Sequence, residues 1–165
     1  MKTRILLIVL IFAILVQVNA QEKLAQNGVI PVMSWGGIAQ TEISVENYRK
    51  LKEVGVNIDI AFFQNADSIA KALDAAQKAG VKLMISCPEL KSEPEKTANR
   101  FKNHPALEGY YLGDEPGRPL FEELGELNKR LKAADKKHYS FVNLYPDINS
   151  NKSKFGTKDY REYVD

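Results

Sequence analysis

The chain has one cysteine, one tryptophan and two histidines among 165 residues. A lone thiol, Cys87, cannot close an internal disulfide, so stability must come from a packed core rather than from staples. Two scattered histidines, His104 and His138, with that single cysteine offer no metal-ligand spacing, and neither a metal nor another cofactor is expected. Neither sign of charge is in large excess, with 23 basic against 21 acidic residues. No basic run interleaved with aromatics occurs, which argues against a nucleic-acid partner. Long apolar runs are missing too. The longest, Ile5 to Val16, has twelve residues. As a helix that reaches about 18 Å, against about 30 Å of membrane hydrocarbon.

That run does have the flanks of a secretory leader. Lys2 and Arg4 precede it, and Val18-Asn19-Ala20 follows with side chains suited to a cleavage site. A leader over residues 1–20 is therefore expected, with the protein exported, periplasmic or secreted. Stable membrane insertion is not expected after cleavage, and no cysteine follows the run to carry a lipid. Loss of the leader removes two basic residues and leaves 21 of each sign. The alternative, an uncleaved anchor, conflicts with the short apolar length.

From residue 21 on, the sequence alternates between two hydrophobic periods. Val29 to Met33 is an apolar run closed by Ser34-Trp35-Gly36-Gly37. Val45, Tyr48, Leu51 and Val54 then recur at helical spacing behind Ser44, a suitable N-cap, and Gly55 stops the helix. Val56 to Phe63 reads as a strand. Ile69, Leu73 and Ala76 mark a second helix ended by Gly80, and Val81 to Ile85 is the next strand, with Cys87 expected as a small buried residue at its end. Ser92 and Glu95 have the spacing of a capping box for a third helix, with Pro94 in its first turn and only Ala98 and Phe101 on its apolar side. Leu107 to Leu112 is a fourth strand. Leu120, Leu124, Leu127, Leu131 and Ala134 mark a fourth helix, and Tyr139 to Val142 is a fifth strand. Residues 147–156 are polar, and Thr157, Tyr160, Tyr163 and Val164 look like the opening of another helix, cut at Asp165.

Strands alternating with helices imply an α/β fold with a mostly parallel sheet. Two architectures suit five strands. One is a doubly wound, flavodoxin-like sheet. The other is the first half of a (β/α)8 TIM barrel, which as a whole needs about 250 residues. The half-barrel, within residues 21–165 and centred on 25–146, is the expectation. Side chains with chemistry collect where strands end: Ser34-Trp35, Gln64, Glu89, Asp114-Glu115, Asn143 and Tyr145. Barrels build their sites at that end. The turn after the first strand holds only Gly36-Gly37, not the glycine-rich phosphate loop of nucleotide-binding sheets.

The sharpest stretch is Tyr110-Tyr-Leu-Gly-Asp-Glu-Pro116, an apolar strand running into two carboxylates and a proline. Pro116 cannot extend the ladder, and its ring is expected to push Glu115 into an extended conformation. Cleavage of a glycosidic bond needs one carboxylic acid to protonate the departing oxygen and a second carboxylate as nucleophile or base. The stretch resembles the strand-four motif of the superfamily of retaining barrel glycoside hydrolases, in which Asn-Glu-Pro carries the acid/base. With His104-Pro-Ala-Leu107 and Asn143-Leu-Tyr-Pro146, the chain is also similar to a subgroup of bacterial secreted glycosidase-like proteins. The resemblance implies that Glu115 is the acid/base and that Trp35, Asp114, Asn143 and Tyr145 line a cleft for an oligosaccharide or polysaccharide. Asp114 departs from the family's Asn, and can accept from a sugar hydroxyl but not donate to it. The family's nucleophile lies at the end of strand seven, and the chain stops after strand five, so turnover by the chain alone is not expected.

Each candidate has a plainer reading. Asp114-Glu115 could be acids at a helix entrance, Trp35 a packing residue, and Asn143 and Tyr145 turn residues before Pro146. Glu89 reads as a solvated loop charge, and His104 and His138, near strand starts, as structural or surface residues. The alternative function is a non-catalytic carbohydrate-binding or interaction protein.

Overall fold

A computed structural model describes residues 30–165; the leader expected over 1–20 lies outside them. Five strands, β1 (Met33–Trp35), β2 (Ile58–Phe62), β3 (Lys82–Ser86), β4 (Leu107–Asp114) and β5 (Tyr139–Asn143), form one sheet in the order β1-β2-β3-β4-β5. Every neighbouring pair is parallel. Six α-helices are present among the described residues: α1 (Val45–Glu53), α2 (Asp67–Ala79), α3 (Pro88–Ser92), α4 (Pro94–Phe101), α5 (Phe121–Ala134) and α6 (Tyr160–Val164).

Strand order decides between the two expected architectures. A doubly wound sheet reverses direction at a switch point and takes helices on both faces. Here each strand adds beside the last in the same sense, so right-handed crossovers leave all connecting helices on one face. The sheet curls as half of an α/β barrel. The flavodoxin-like alternative is thereby excluded.

Two unequal apolar clusters follow from this one-sided winding. On the helix side, Ala61, Leu83, Ile85, Leu107, Tyr110 and Leu112 from the sheet meet Tyr48, Ile69, Leu73, Ala98, Phe101, Leu127 and Leu131. On the inner side, Ile60, Met84 and Tyr111 are buried, with Ile58 and Phe141 packed against them. The period-two alternation of Ile58-Asp-Ile-Ala-Phe62 assigns alternate residues to the two faces.

Local signals account for most element ends. Ser44 caps α1 by accepting from the Asn47 amide at 3.2 Å. Gly55 and Gly80 end the first two helices with φ of +94° and +72°, a conformation that glycine adopts without steric cost. Asp159 accepts from the Glu162 amide at 3.0 Å while Glu162 accepts from the Lys158 amide at 2.9 Å, a reciprocal cap for α6.

Three expectations need correction. The first strand is Met33–Trp35, so of the expected run 29–33 the described residues Ile30 to Val32 lie outside it, and Val29 lies outside the described residues. Ser92 is not a cap: it ends α3, and its hydroxyl donates to the Pro88 carbonyl at 3.4 Å. Prolines at 88 and 94 each open a short helix, so two helices stand where one was expected. Glu95 instead makes a two-pronged bond to Arg130, at 2.7 Å on both nitrogens, joining α4 to α5.

Candidate functional site

The site is built around the end of β4. Tyr111 faces Phe141 across the ladder, but Gly113 faces Val142, so β4 advances two residues where β5 advances one. Such a bulge inverts the side-to-side alternation. A side chain at Gly113 would point toward Leu124, on the helix side. Asp114 consequently comes to the inner side opposite Asn143, whose amide donates to its Oδ1 at 2.9 Å.

Glu115 follows at the C-terminal rim, half-buried. Its amide continues the ladder, donating to the Asn143 carbonyl at 2.7 Å. Its φ is +45°, the single positive value at a non-glycine position among the described residues. The extended conformation expected before Pro116 is therefore wrong. The ladder bond and burial of Pro116 hold a left-handed turn there against local preference. The helix-entrance reading fails as well. A 3-10 turn at Arg118–Leu120 separates the pair from α5, whose first-turn acids are Glu122 and Glu123.

Beneath the carboxylates lies an aromatic group on the inner face. Trp35 packs 5.7 Å from Phe62 and 5.2 Å from Tyr111, and Tyr111 lies 5.5 Å from Phe62 and 6.0 Å from Phe141, all between ring centroids. Trp35 remains 51% exposed, so it packs and offers a surface at once. The Tyr111 hydroxyl is buried without a hydrogen-bond partner of good geometry. Burial pushes its phenol pKa up, and the carboxylates of Asp114 and Glu115 add to the rise.

The turn after β1 is fastened from below. Asp59, fully buried, accepts from the Ser34 hydroxyl at 2.7 Å and from the Gly37 amide at 2.9 Å. A Cβ at Gly37 would fall 2.7 Å from Ser34 Oγ and 2.9 Å from Asp59 Oδ1, so only glycine fits without displacing them. This clasp fixes the strand end that carries Trp35.

Tyr145 belongs to a different ring cluster. It lies 6.2 Å from both Phe155 and Tyr163, with the Lys154 ammonium 5.5 Å from its centroid. The structure brings Trp35, Asp114 and Asn143 to the inner side with Glu115, and packs the Tyr145 ring among residues of the following segment. The Gln64 backbone amide donates to Gln40 Oε1 at 2.8 Å, joining the turn after β2 to the 3-10 turn after β1. Glu89 lies in the first turn of α3, where the backbone N–H groups of its own residue and of Ala66 hold its carboxyl below the ordinary value. At the opposite end of the strands, His138 is buried against Asp135 at 2.6 Å, and Tyr110 donates to the same oxygen at 2.6 Å. Burial works to raise the Asp135 pKa, but the bonds from Tyr110, His138 and two backbone amides bring it down to about 2. His104 accepts from the Ala106 amide at 3.1 Å. Both histidines are structural.

Phe62, Tyr111, Phe141, Asp59 and Tyr163 were not picked out as site residues by sequence reasoning. The first three carry a readable signal, strand alternation placing them on the same face as Trp35. A cavity of about 320 Å³, lined by Phe121, Leu124, Asn128, Ser140, Val142 and Leu144 among others, lies on the helix side and does not include the carboxylates. No group of three or more metal-ligating side chains occurs among the described residues.

Neither a protein-family profile nor a curated protein matches the sequence. The structure is similar to a glycoside hydrolase family 5 protein from Bacteroides vulgatus ATCC 8482, with a TM-score of 0.52 and 15% identity. The likeness covers 68% of this chain and 35% of that one, so the chain spans about a third of its neighbour's length. At that identity the likeness concerns the fold.

Proposed function

We propose that this chain is the acid/base half of an exported glycoside hydrolase that cleaves O-glycosidic bonds with retention. The observation that carries the reading is Glu115, held in a left-handed turn at the C-terminal rim of a half-barrel above an open aromatic face. In this reading the Glu115 carboxyl protonates the departing glycosidic oxygen and later takes a proton from the attacking water. The Trp35 ring stacks on a sugar face, Asp114 accepts from a sugar hydroxyl, and Asn143 orients Asp114. Tyr145 offers only the edge that its own ring cluster leaves exposed. Retention needs a second carboxylate about 5–5.5 Å from the first, to be supplied from outside the five described strands. Without it the chain binds sugar and turns it over poorly, since loss of one coupled catalytic group costs roughly 10⁴-fold or more.

The test is a panel of oligosaccharides titrated into the labelled chain, with shifts followed at the Trp35 indole and the Glu115 and Asn143 amides. Shifts at all three, with any residual hydrolysis abolished in Glu115→Gln, support the reading. Binding that Glu115→Gln leaves intact, with no hydrolysis by the chain or by a barrel completed in trans, points to a binding module instead. Absence of shifts at these residues across the panel would overturn both.

A further inference from the structure

We infer that Tyr163, from the helix that follows β5, couples the turn carrying Glu115 to the loop leaving β5. Its side chain is fully buried. Its hydroxyl donates to the Pro116 carbonyl at 2.8 Å and accepts from the Tyr145 amide at 3.2 Å. One oxygen thus ties the residue after Glu115 to the loop leaving β5. The ring is held in turn by Phe155, stacked at 4.9 Å and 20°, and by Phe121 at 5.3 Å.

The need for such a tie follows from the conformation of Glu115. A non-glycine residue at φ +45° is unfavourable on its own and persists only where its surroundings dictate it. On the upstream side the dictating bond is Glu115 N–H to Asn143. Downstream, Pro116 has no N–H, so its carbonyl is the one backbone group that this residue offers to anchor the turn. Tyr163 takes that carbonyl. The carboxylate-bearing turn and the β5 loop therefore open together rather than separately. The inference rests on the proposed role of Glu115 for its functional meaning, but its physical content does not require a sugar.

Amide hydrogen exchange on the whole chain tests it. In the unmodified protein, the Glu115 and Tyr145 amides are expected to show the same opening equilibrium, because one hydroxyl bridges their loops. In Tyr163→Phe, which keeps the stacked ring, both are expected to exchange roughly tenfold faster. The amides of Phe63 and Leu83, bonded to Ser86 and Ala106 within the sheet, should stay unchanged. Tyr160→Phe, which takes a hydroxyl from the same ring cluster and leaves the Pro116 bond in place, should alter neither. Uniform acceleration, or no acceleration at Glu115, overturns the inference. If Tyr163→Phe does not fold, unequal opening of Glu115 and Tyr145 in the unmodified chain overturns it equally. No ligand enters this measurement, so its failure leaves the hydrolase reading standing, and failure of the sugar panel leaves this one standing.

Discussion

Replacing Glu115 by glycine is expected to make the domain more stable, although it removes the group proposed to do the chemistry. The side chain sits at φ +45°, where a Cβ costs about 1–2 kcal/mol. Glycine removes that strain but adds freedom to the unfolded chain, giving back about 0.4–1 kcal/mol. The net gain centres on about 0.8 kcal/mol, or roughly 2–3 °C in melting temperature for a chain of this size. Alanine supplies the control, since it removes the carboxylate but keeps the Cβ and its strain. Glycine should therefore melt above alanine by at least the same few degrees, despite alanine's stiffer unfolded chain. Thermal unfolding by circular dichroism on the three proteins reads the difference directly. An alanine variant as stable as glycine, or more so, would refute the strain, and with it the view that the fold holds this residue against its local preference.

Other perturbations separate the parts of the site and scaffold. Gly37→Ala drives a Cβ to 2.7 Å from Ser34 Oγ, so it should cost about 1–3 kcal/mol by urea unfolding and broaden the Trp35 indole resonance. Tyr111→Phe removes a buried hydroxyl with no hydrogen-bond partner of good geometry and should leave stability unchanged or slightly raised; a loss above about 1.5 kcal/mol would mean that its approach to Asp114 is a full hydrogen bond. Asp135 has a folded pKa lowered to about 2, beneath its unfolded value near 3.9. Its contribution is thus complete above the unfolded pKa and disappears as pH falls from about 4 to 2, amounting to about 2 kcal/mol. Asp135→Asn should flatten that arm of the stability profile, and an unaltered acid limb would show that the buried cluster is not its source.

Much of the scaffold was legible because the signals were local. Ser44 before a helical stripe, and Gly55 and Gly80 each leading into an apolar strand, fix helix ends by short-range chemistry that tertiary packing did not contest. The Ser92 capping box failed for an equally local reason: prolines at 88 and 94 open two helices, and Ser92 became the end of the first. Glu115 failed differently. The rule for residues before proline describes what the isolated chain prefers, and the Asn143 ladder bond with the Tyr163 anchor outweighs it. Tyr145 shows a third limit. Sequence marks it as an aromatic at a strand end, but its neighbours Phe155 and Tyr163 come from a segment whose polar start read as a loop. The inner-face aromatics Phe62 and Tyr111 lay within reach, since period-two alternation places them beside Trp35.

Fold likeness at 15% identity does not by itself say what the rim of this half-barrel does. Glu115 stands out on independent grounds. A bulge in β4 spends one residue to turn Asp114 inward, where Asn143 meets it. The next residue takes a backbone conformation that local energetics disfavour, and bonds from β5 and from α6 converge to keep it there. A helix entrance needs none of this, and α5 begins after a separate turn with acids of its own. A strand that merely ended could relax Glu115 into the extended region that Pro116 favours. The Asn143 ladder bond, the Tyr163 tie to Pro116 and the burial of Pro116 all work against that relaxation, and what they have in common is the placement of one residue, Glu115, at the rim of the curled sheet.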